Sequence, residues 1–430
     1  MADCTNRKLD QNASTLMETQ QATETMIDWQ NIRSDFPILR REVHGKPLTY
    51  LDSAASAQKP QMVINAVSDA YSQHYSNVHR GIHQLSEEAT YKYELTRSKI
   101  AHFINAPSTD EIVLTQGATM SLNIIAQSYG GMVLKEGDEV LISIADHHAN
   151  IVPWQMVCQK TGATLKAAPV EPDGHIDMDK ITAMVNKNTR IIAMPHVSNV
   201  LGTVYDIRAL SQLAHAHDAV MVVDGCQGAV HMPVDVQALG CDFYVFSAHK
   251  LYGPSGIGML WGKNELLAEM PPFIGGGAMI DRVTIEHSTY ADPPERFEAG
   301  TPPIAEAIGF AAAIDYVEAI GMDQIRDHEH DLITYAHQKL AAIDGVRLIG
   351  TSTGKSGVIS FVMDCAHPHD ISTIVDRSGV AIRAGHHCAQ PLHDFLDLPA
   401  TARASVGIYN SRQDFDVLAE ALEKVKVIFA

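Results

Sequence analysis

Two residues that could do chemistry stand at the ends of apolar runs. Asp224 closes the run that begins at Ala219, and Lys250, 26 residues later, follows a run that ends at Phe246. A lysine in a dry crevice can lose its proton and form an imine, whereas a buried carboxylate needs a cationic partner. Enzymes that use pyridoxal phosphate employ both, a lysine at the cofactor's aldehyde and an acid at its ring nitrogen. Either residue alone would indicate a surface lysine or a capped turn, but the pair favours this chemistry.

Length and composition limit the classes of protein that fit. A chain of 430 residues is expected to form two domains that share an interface. The formal net charge of -19 argues against a nucleic-acid or anionic-membrane partner. No apolar run reaches the length of a membrane span, and the first 28 residues lack the apolar core of a signal peptide. The six cysteines include no C-x-x-C pair, so we expect a reduced, cytoplasmic protein.

Short apolar runs alternate with helical segments between residues 111 and 261. This alternation predicts an α/β fold, with a mostly parallel sheet and helices on both faces. In such a sheet ligands bind at the carboxyl ends of the strands. Four runs are followed by polar residues, which are His147 and His148, Ser198 and Asn199, Asp224 and Gln227, and Ser247, His249 and Lys250. The turn Gln116-Gly-Ala-Thr119 follows a further run and opens a helix, which predicts either an anion site or a plain helix cap.

Eight motifs together resemble the SufS-type cysteine desulfurases, which are also called group II desulfurases or selenocysteine lyases. The resemblance runs from about Asp28 to the end of the chain. The motifs are Asp52-Ser-Ala-Ala-Ser-Ala-Gln58, Asn77-Val-His-Arg-Gly-Ile-His83, His147-His-Ala-Asn-Ile-Val-Pro-Trp154, His196-Val-Ser-Asn-Val-Leu-Gly-Thr203, Val223-Asp-Gly-Cys-Gln227, Phe246-Ser-Ala-His-Lys-Leu-Tyr-Gly-Pro254, Arg296-Phe-Glu-Ala-Gly-Thr301 and Arg383-Ala-Gly-His-His-Cys-Ala-Gln-Pro391.

The family belongs to the pyridoxal phosphate enzymes of fold type I, and the resemblance therefore implies a domain plan. A large domain over residues 48–303 would hold the cofactor on a mostly parallel, seven-stranded sheet flanked by helices. A smaller α+β domain over residues 304–430 would carry Cys388. Residues 28–47 would pack with this smaller domain, and residues 1–27, rich in polar residues, are expected to form a disordered tail. Strands of the smaller domain are predicted over residues 357–363, 380–383 and 404–409.

The resemblance also implies roles for the residues around the cofactor ring. Lys250 would hold pyridoxal phosphate as a Schiff base and later move the substrate Cα proton. Asp224 would keep the ring nitrogen protonated, and Gln227 would bind the ring hydroxyl. His147, rather than His148, would stack on the ring and handle protons.

Further residues correspond to the phosphate and substrate positions of the family. Thr119, Ser247 and His249 match phosphate-binding residues, and Gly300 with Thr301 would reach the phosphate of the partner subunit. Asn199, Arg403 and Arg383 match substrate-binding residues, since a planar guanidinium suits a carboxylate. One departure is Ala118, where relatives often carry a threonine, so one hydroxyl contact to the phosphate is absent.

Cys388 carries the reaction that is specific to this family. Its thiolate would attack the sulfur of L-cysteine, leaving a persulfide on the enzyme and releasing L-alanine. Arg383, His386 and His387 nearby would favour the thiolate. Three consecutive loop residues cannot easily converge on one ion, so His386-His387-Cys388 does not predict a zinc site. We expect Cys158, Cys241 and Cys365 to be quiet core residues and Cys226 to be a packed small residue.

The segment from Ala384 to Pro391 is short and resembles that of the group II proteins, and this resemblance implies that the persulfide cannot travel far. The resemblance therefore implies a homodimer that is visited by an acceptor protein of the SufE or SufU type, upstream of a SufBCD-like scaffold for iron-sulfur assembly. L-Selenocysteine fits the same residues as L-cysteine. Two alternatives remain open from the sequence: another enzyme of the fold (an aminotransferase, an epimerase or a kynureninase-like lyase) and a catalytically silent scaffold subunit.

Overall fold

A computed structural model describes residues 27–429, so nearly all of the predicted tail lies outside the described residues. Within this range no helix combines the length and the apolar character that a membrane crossing requires.

A seven-stranded sheet forms the centre of the larger part of the chain. Its strands are β1 (Ile112–Thr115), β2 (Glu139–Ser143), β3 (Thr164–Ala168), β4 (Thr189–Pro195), β5 (Val220–Asp224), β6 (Phe243–Ser247) and β7 (Gly258–Gly262). The order across the sheet is β1-β7-β6-β5-β4-β2-β3. Strand β7 runs antiparallel to its two neighbours, β1 and β6, and the other neighbouring strands of the sheet pair in parallel. The predicted mostly parallel, seven-stranded α/β architecture is therefore confirmed.

The burial of each strand explains whether it could be predicted from the sequence. Strands β6 and β7 are buried along their whole length, as expected for strands covered on both faces. Strand β3 was not predicted. It lies at the edge of the sheet and carries the partly exposed Lys166 at its middle, so it shows no apolar run.

Helices cover both faces of the sheet and continue into the C-terminal part. The longer ones are α1 (Gln61–Gln73), α2 (Gln84–Phe103), α3 (Ala118–Ile124), α4 (Val152–Thr161), α5 (Ile207–His215), α6 (Ile304–Ile320), α7 (Met322–Ala341), α8 (Pro368–Asp376) and α9 (Arg412–Phe429). A π-helical stretch over Ile125–Gly130 and a turn over Gly131–Val133 extend α3. Shorter helices span Trp29–Ser34, Met178–Met184, Gly228–His231, Val236–Leu239, Asn264–Glu269 and Gln390–Phe395.

A second, antiparallel sheet organises the C-terminal part. It consists of β8 (Val346–Ile349), β9 (Val358–Met363), β10 (Arg383–Gly385) and β11 (Thr401–Ser405), in the order β8-β9-β11-β10. Helices α7, α8 and α9 share a separate apolar core with this sheet. The strand predicted over residues 404–409 is misplaced, because β11 ends at Ser405 and the chain then turns. Strand β8 was not predicted.

Two smaller features connect or project from these parts. Val200 and Leu201, which follow β4, pack with Ile349, Ala389 and Leu392 in a cluster between the two sheets. A hairpin of Ile280–Val283 and Ser288–Tyr290 lies between β7 and α6.

Candidate active site

A cavity of about 260 Å³ opens at the carboxyl ends of β4, β5 and β6, facing the segment before β11. The predicted site residues that line it are Thr119, His147, Asn199, Asp224, Ser247, His249, Lys250, Arg383, Cys388 and Arg403. Gln227 lines a small adjoining cavity together with Asp224, His147 and Lys250. Gly300 and Thr301 lie elsewhere, in a separate cavity beside Asn77 and Arg80. The fold thus gathers residues from both sheets around one space.

Asp224 presents a buried carboxylate to this cavity. It ends β5 with 6% of its surface exposed, and the backbone N–H of Cys226 donates to its Oδ1 at 3.0 Å. Among residues 27–429 no basic side chain forms an ion pair with it. A buried carboxylate without a cationic partner is costly, so this group suits a ligand that brings a positive N–H.

Lys250 is held through the backbone of its neighbour. It lies three residues after the end of β6, and the preceding carbonyl, that of His249, accepts a hydrogen bond from Lys59 Nζ at 2.9 Å. Burial lowers the pKa of Lys59 to about 8. His249, in contrast, is neutral at physiological pH, because burial and the charges of Lys250 and Lys59 lower its pKa to about 4.

His147 reaches the cavity from the loop after β2. Its Nδ1 accepts the backbone N–H of Ala149 at 3.1 Å, so the neutral ring carries its proton on Nε2. Burial, followed by the positive charge of Lys250, lowers the pKa of His147 to about 4. The ring therefore faces the cavity as a neutral imidazole at physiological pH.

The turn before α3 packs tightly against the strands. Ser247 Oγ accepts the backbone N–H of Ala118 at 2.8 Å. Gly117 has a φ of +129°, and a side chain on Gly258 would come within 2.6 Å of its Cα. The exposed Thr119 and the hydroxyl of Ser247 lie at the cavity wall together with Ala118, which is buried and contributes no hydroxyl group there.

Two arginines of the cavity wall, Arg383 and Arg403, share the carboxylate of Asp52. Asp52 accepts hydrogen bonds from Arg383 Nε and Nη2 at 3.1 and 2.9 Å, and Arg403 Nη2 lies 3.5 Å from Asp52 Oδ1. Arg403 Nη1 donates to the carbonyl of Asn199, and its buried Nε has no partner among the described residues. Burial lowers the pKa of Arg403 to about 10, so it stays charged. The free N–H is suited to a substrate carboxylate.

Cys388 lies on a strained turn at the mouth of the cavity. It is exposed, and both His387 and Cys388 adopt left-handed backbone conformations, with φ of +52° and +56°. Such geometry costs about 1 kcal/mol or more for each non-glycine residue. Asn199 Nδ2 donates to the carbonyl of His387 at 2.7 Å, and the N–H of His148 donates to that of Cys388 at 2.7 Å. These bonds hold the turn in place.

Of the cations expected near Cys388, Arg383 interacts with it as predicted, whereas His387 does not act as a cation and Arg403 is an additional one. Burial and the charge of Arg403 lower the pKa of His387 to about 2, so His387 is neutral and cannot favour a thiolate by charge. Its Nε2 contacts Thr401 instead. Arg383 and Arg403, in contrast, both interact electrostatically with Cys388.

The other four cysteines within residues 27–429 follow the expectation with one exception. Cys158, Cys226 and Cys241 are buried, whereas Cys365 is exposed at the end of β9 rather than in the core. Burial raises the pKa of Cys226 to about 12. No group of three or more His, Cys, Asp and Glu residues within 27–429 is arranged to hold a metal ion.

Sequence reasoning missed the roles of Asp52 and Lys59. Asp52 directly follows the short apolar run Leu48-Thr-Tyr-Leu51, as Asp224 follows its own run, and this signal could have identified it. Lys59 gave no such signal, because its contact with the His249 carbonyl depends on the tertiary fold.

Known proteins resemble this chain over more than nine tenths of its length. Residues 49–418 match the family model described as aminotransferase class-V. The chain is 50% identical over 398 residues to a probable cysteine desulfurase of Halalkalibacterium halodurans. This alignment covers 93% of this chain and 98% of that protein. The crystal structure of the cysteine desulfurase CsdA from Escherichia coli matches with a TM-score of 0.88 and 39% identity, over 94% of this chain and 100% of the other. The apo structure of a cysteine desulfurase from Thermococcus onnurineus matches with a TM-score of 0.87 and 36% identity, over 92% of this chain and 97% of the other.

The residues of the cavity fit pyridoxal phosphate, the cofactor of this family. A lysine that can form an imine, an unpaired buried carboxylate and hydroxyl groups beside a helix start line one space. These are the groups that the aldehyde, the ring nitrogen and the phosphate require. Fold, site and relatives agree: the chain belongs to the class-V aminotransferase family, and within it to the pyridoxal phosphate-dependent cysteine desulfurases.

Proposed function

We propose that this chain is a SufS-type cysteine desulfurase that converts L-cysteine to L-alanine and stores the sulfur on Cys388 as a persulfide for iron-sulfur cluster assembly. One observation carries this proposal: the exposed Cys388 lines the same cavity as Lys250 and Arg403. L-Selenocysteine presents the same carboxylate and amine with a more polarisable atom in place of sulfur, so it is proposed as a second substrate.

Bound pyridoxal phosphate supplies an electron-withdrawing ring that makes the substrate Cα proton removable. Lys250 holds the cofactor through Nζ and then moves the proton at Cα. The Asp224 carboxylate holds the proton on the ring nitrogen, and Gln227 donates to the ring hydroxyl. His147, neutral and protonated on Nε2, offers an aromatic face and one N–H. Thr119, Ser247 and His249 contribute the phosphate contacts.

Arg403 and Arg383 orient the substrate by its carboxylate, with the unpartnered Nε of Arg403 as one donor. Asn199 completes this wall, although its Nδ2 already donates to the carbonyl of His387. The substrate sulfur then meets Cys388. The thiolate attacks that sulfur, so that the new S–S bond forms as the Cβ–S bond breaks. The carbon fragment keeps the electron pair, takes up a proton and leaves as alanine.

The persulfide then has to leave on a second protein. Cys388 is exposed, but its turn is held to the loops after β2 and β4 by two hydrogen bonds of 2.7 Å. A sulfur on this turn cannot swing out far, so the acceptor has to approach the cavity mouth. An acceptor of the SufE or SufU type, acting before a SufBCD-like scaffold in the cytoplasm, fits this requirement.

A second copy of the chain would complete the site. Gly300 and Thr301 line a cavity away from Lys250, and the sequence resemblance assigns them to the phosphate of the partner subunit. The fully exposed Ile285 at the hairpin tip and the 97% exposed Ile82 offer apolar surface for such a partner. We therefore propose a homodimer whose two sites each use residues of both copies.

The test is mass spectrometry of the purified holoenzyme after incubation with L-cysteine. The expected result is one added sulfur on the peptide that contains Cys388, with alanine formed alongside, and neither in a Cys388→Ala variant. An added sulfur on another cysteine, or full turnover by Cys388→Ala, would exclude the persulfide role and favour another reaction of the fold.

A further inference from the structure

A buried chain of polar side chains leads from α7 to the adjoining cavity beside Asp224. Glu329 Oε2 lies 2.5 Å from His231 Nδ1, and both side chains are 1% exposed. His231 Nε2 lies 3.3 Å from Gln227 Oε1, and Gln227 Nε2 donates to the carbonyl of Ala54 at 3.0 Å. Both ring nitrogens of His231 are therefore engaged, one by a carboxylate and one by a residue of the cavity wall.

The direction of each hydrogen bond follows from chemistry. The carbonyl of Ala54 only accepts, so the nitrogen of the Gln227 amide faces it and the amide oxygen faces His231. Because an amide oxygen also only accepts, His231 Nε2 has to carry a proton. The remaining proton is shared between Nδ1 and Glu329, and whichever atom holds it, His231 remains a donor to Gln227. The carboxylate thus fixes the tautomer of the imidazole.

Packing fixes the ring as well. Gly357, just before β9, has a φ of +64°, and a side chain there would come within 2.2 Å of His231 Nε2. The imidazole is therefore enclosed between α7 and the backbone at the start of β9. A histidine that only filled space would not need a buried carboxylate on one nitrogen and a glycine against the other.

The Gln227 nitrogen has a second hydrogen after the bond to Ala54. Gln227 lines the cavity that Asp224 and Lys250 also line, so this hydrogen is available to a ligand there. We propose that Glu329 and His231 are positioning residues that hold the Gln227 amide with its N–H toward the ring hydroxyl of the cofactor. This inference rests on the proposed role of Gln227 in binding that hydroxyl.

The experiment measures the pH midpoint of the visible absorption band of the holoenzyme, which reports the protonation of the cofactor's imine and ring oxygen. A donor to that oxygen stabilises its negative form, so loss of the donor should raise the midpoint. Gln227→Leu is the reference variant with which the other shifts are compared. Its midpoint should rise by about one pH unit, which corresponds to the free energy of one hydrogen bond to a charged group.

The variant that tests the roles of Glu329 and His231 combines His231→Leu with Glu329→Met. It replaces both partners by apolar groups, so no charge is left buried and unpaired. We expect at least about half of the Gln227→Leu shift. Glu329→Gln, which keeps the shape, should give about a third of it, because a neutral donor is weaker than a charge-assisted one. It replaces the double variant if that protein does not fold.

Glu111→Gln is the matched control. Glu111 is a buried carboxylate that accepts from Trp261 Nε1 and from the N–H of Asn264, away from the cavity. It should leave the midpoint unchanged even where the unfolding temperature of the apo-protein falls.

The outcomes separate the two levels of inference. If Gln227→Leu itself leaves the midpoint unchanged, the proposed role of Gln227 is wrong. If Gln227→Leu shifts the midpoint but the double variant and Glu329→Gln both behave as wild type, Glu329 and His231 are structural only and the inference fails. A shift in Glu111→Gln as large as that of the double variant would also overturn it.

Discussion

Asn199 donates through Nδ2 to the carbonyl oxygen of His387 at 2.7 Å, which ties the loop after β4 to the turn of the nucleophile. The same loop offers its own backbone carbonyl to Arg403. The position of Cys388 and the orientation of a substrate-binding arginine therefore depend on one loop. Asn199 was expected only to hold the substrate, and its contact with the turn is an additional role.

The first prediction concerns this contact. Asn199→Ala removes the donor and frees a turn that contains two left-handed residues. A displacement of about 1 Å at a reacting atom can slow chemistry by about a hundredfold, so we expect a fall of about tenfold or more in single-turnover persulfide formation. Rapid quenching followed by mass spectrometry measures it. The exposed Asn188→Ala serves as the control, and equal rates in the two variants would contradict the role of Asn199.

The second prediction separates the thiols by exposure. Burial raises the pKa of Cys158 to about 11 and of Cys226 to about 12, and it also raises the pKa of Cys241. Cys365 and Cys388 are exposed. Among these five cysteines, iodoacetamide should modify only Cys365 and Cys388 in the native protein. Peptide mapping checks this, and Cys365→Ser should keep full persulfide formation. Rapid labelling of Cys226 would show that the cavity wall opens.

The site at the carboxyl ends of the strands could be predicted from the sequence, because buried parallel strands appear as continuous apolar runs. Asp224 and Lys250 stand out at the ends of such runs, and the cavity indeed contains both. Strand β11, in contrast, has the sequence Thr-Ala-Arg-Ala-Ser. All five residues are buried, but four are small and the fifth, Arg403, pairs with Asp52, so the strand contains no apolar run. Its neighbouring apolar residues, Val406 to Tyr409, led to a strand placed too far along the chain.

The side-chain pairs that position the site residues could not be predicted in this way. Asp52 meets Arg403, and Glu329 meets His231, only because the two sheets pack together. A pattern within one segment cannot report such pairs. The charge of His387 was also misjudged, since a histidine beside arginines in sequence says nothing about its burial at Thr401.

The third prediction is a loss of stability in mild acid. His196 is buried beside Tyr244, and burial lowers its pKa to about 4 from an ordinary value of 6.5. Between these two values the unfolded chain binds the proton and the folded chain does not, so stability falls as the pH falls through this window. Proton uptake at one such residue in the unfolded chain lowers the free energy of unfolding by about 3 kcal/mol between pH 7 and pH 4.

Thermal unfolding of the apo-protein between pH 7 and pH 5 should therefore show a falling unfolding temperature. His196→Gln, which cannot be protonated, should be less stable at pH 7 but show a shallower pH dependence. His44→Gln is the control, because His44 is exposed and pairs only with Asp376 at the surface. Identical slopes in wild type and His196→Gln would show that His196 is not the source.

The last prediction compares two glycines that share a backbone conformation but differ in their surroundings. Gly354 and Gly357 have φ of +75° and +64°. A side chain at Gly354 would meet no atom within 4 Å, whereas one at Gly357 would meet His231 at 2.2 Å. Gly354→Ala should therefore cost only the left-handed strain, about 1 kcal/mol.

Gly357→Ala should cost the same strain and in addition displace a buried imidazole from Glu329, for a total of about 3 kcal/mol or more. Chemical denaturation of the two apo-proteins under one set of conditions measures the difference. Because the methyl group would move His231, the cofactor band of Gly357→Ala should also shift its pH midpoint upward, while that of Gly354→Ala stays in place. Equal losses in the two variants would mean that the ring has room to move, and a ring with such freedom could not hold Gln227.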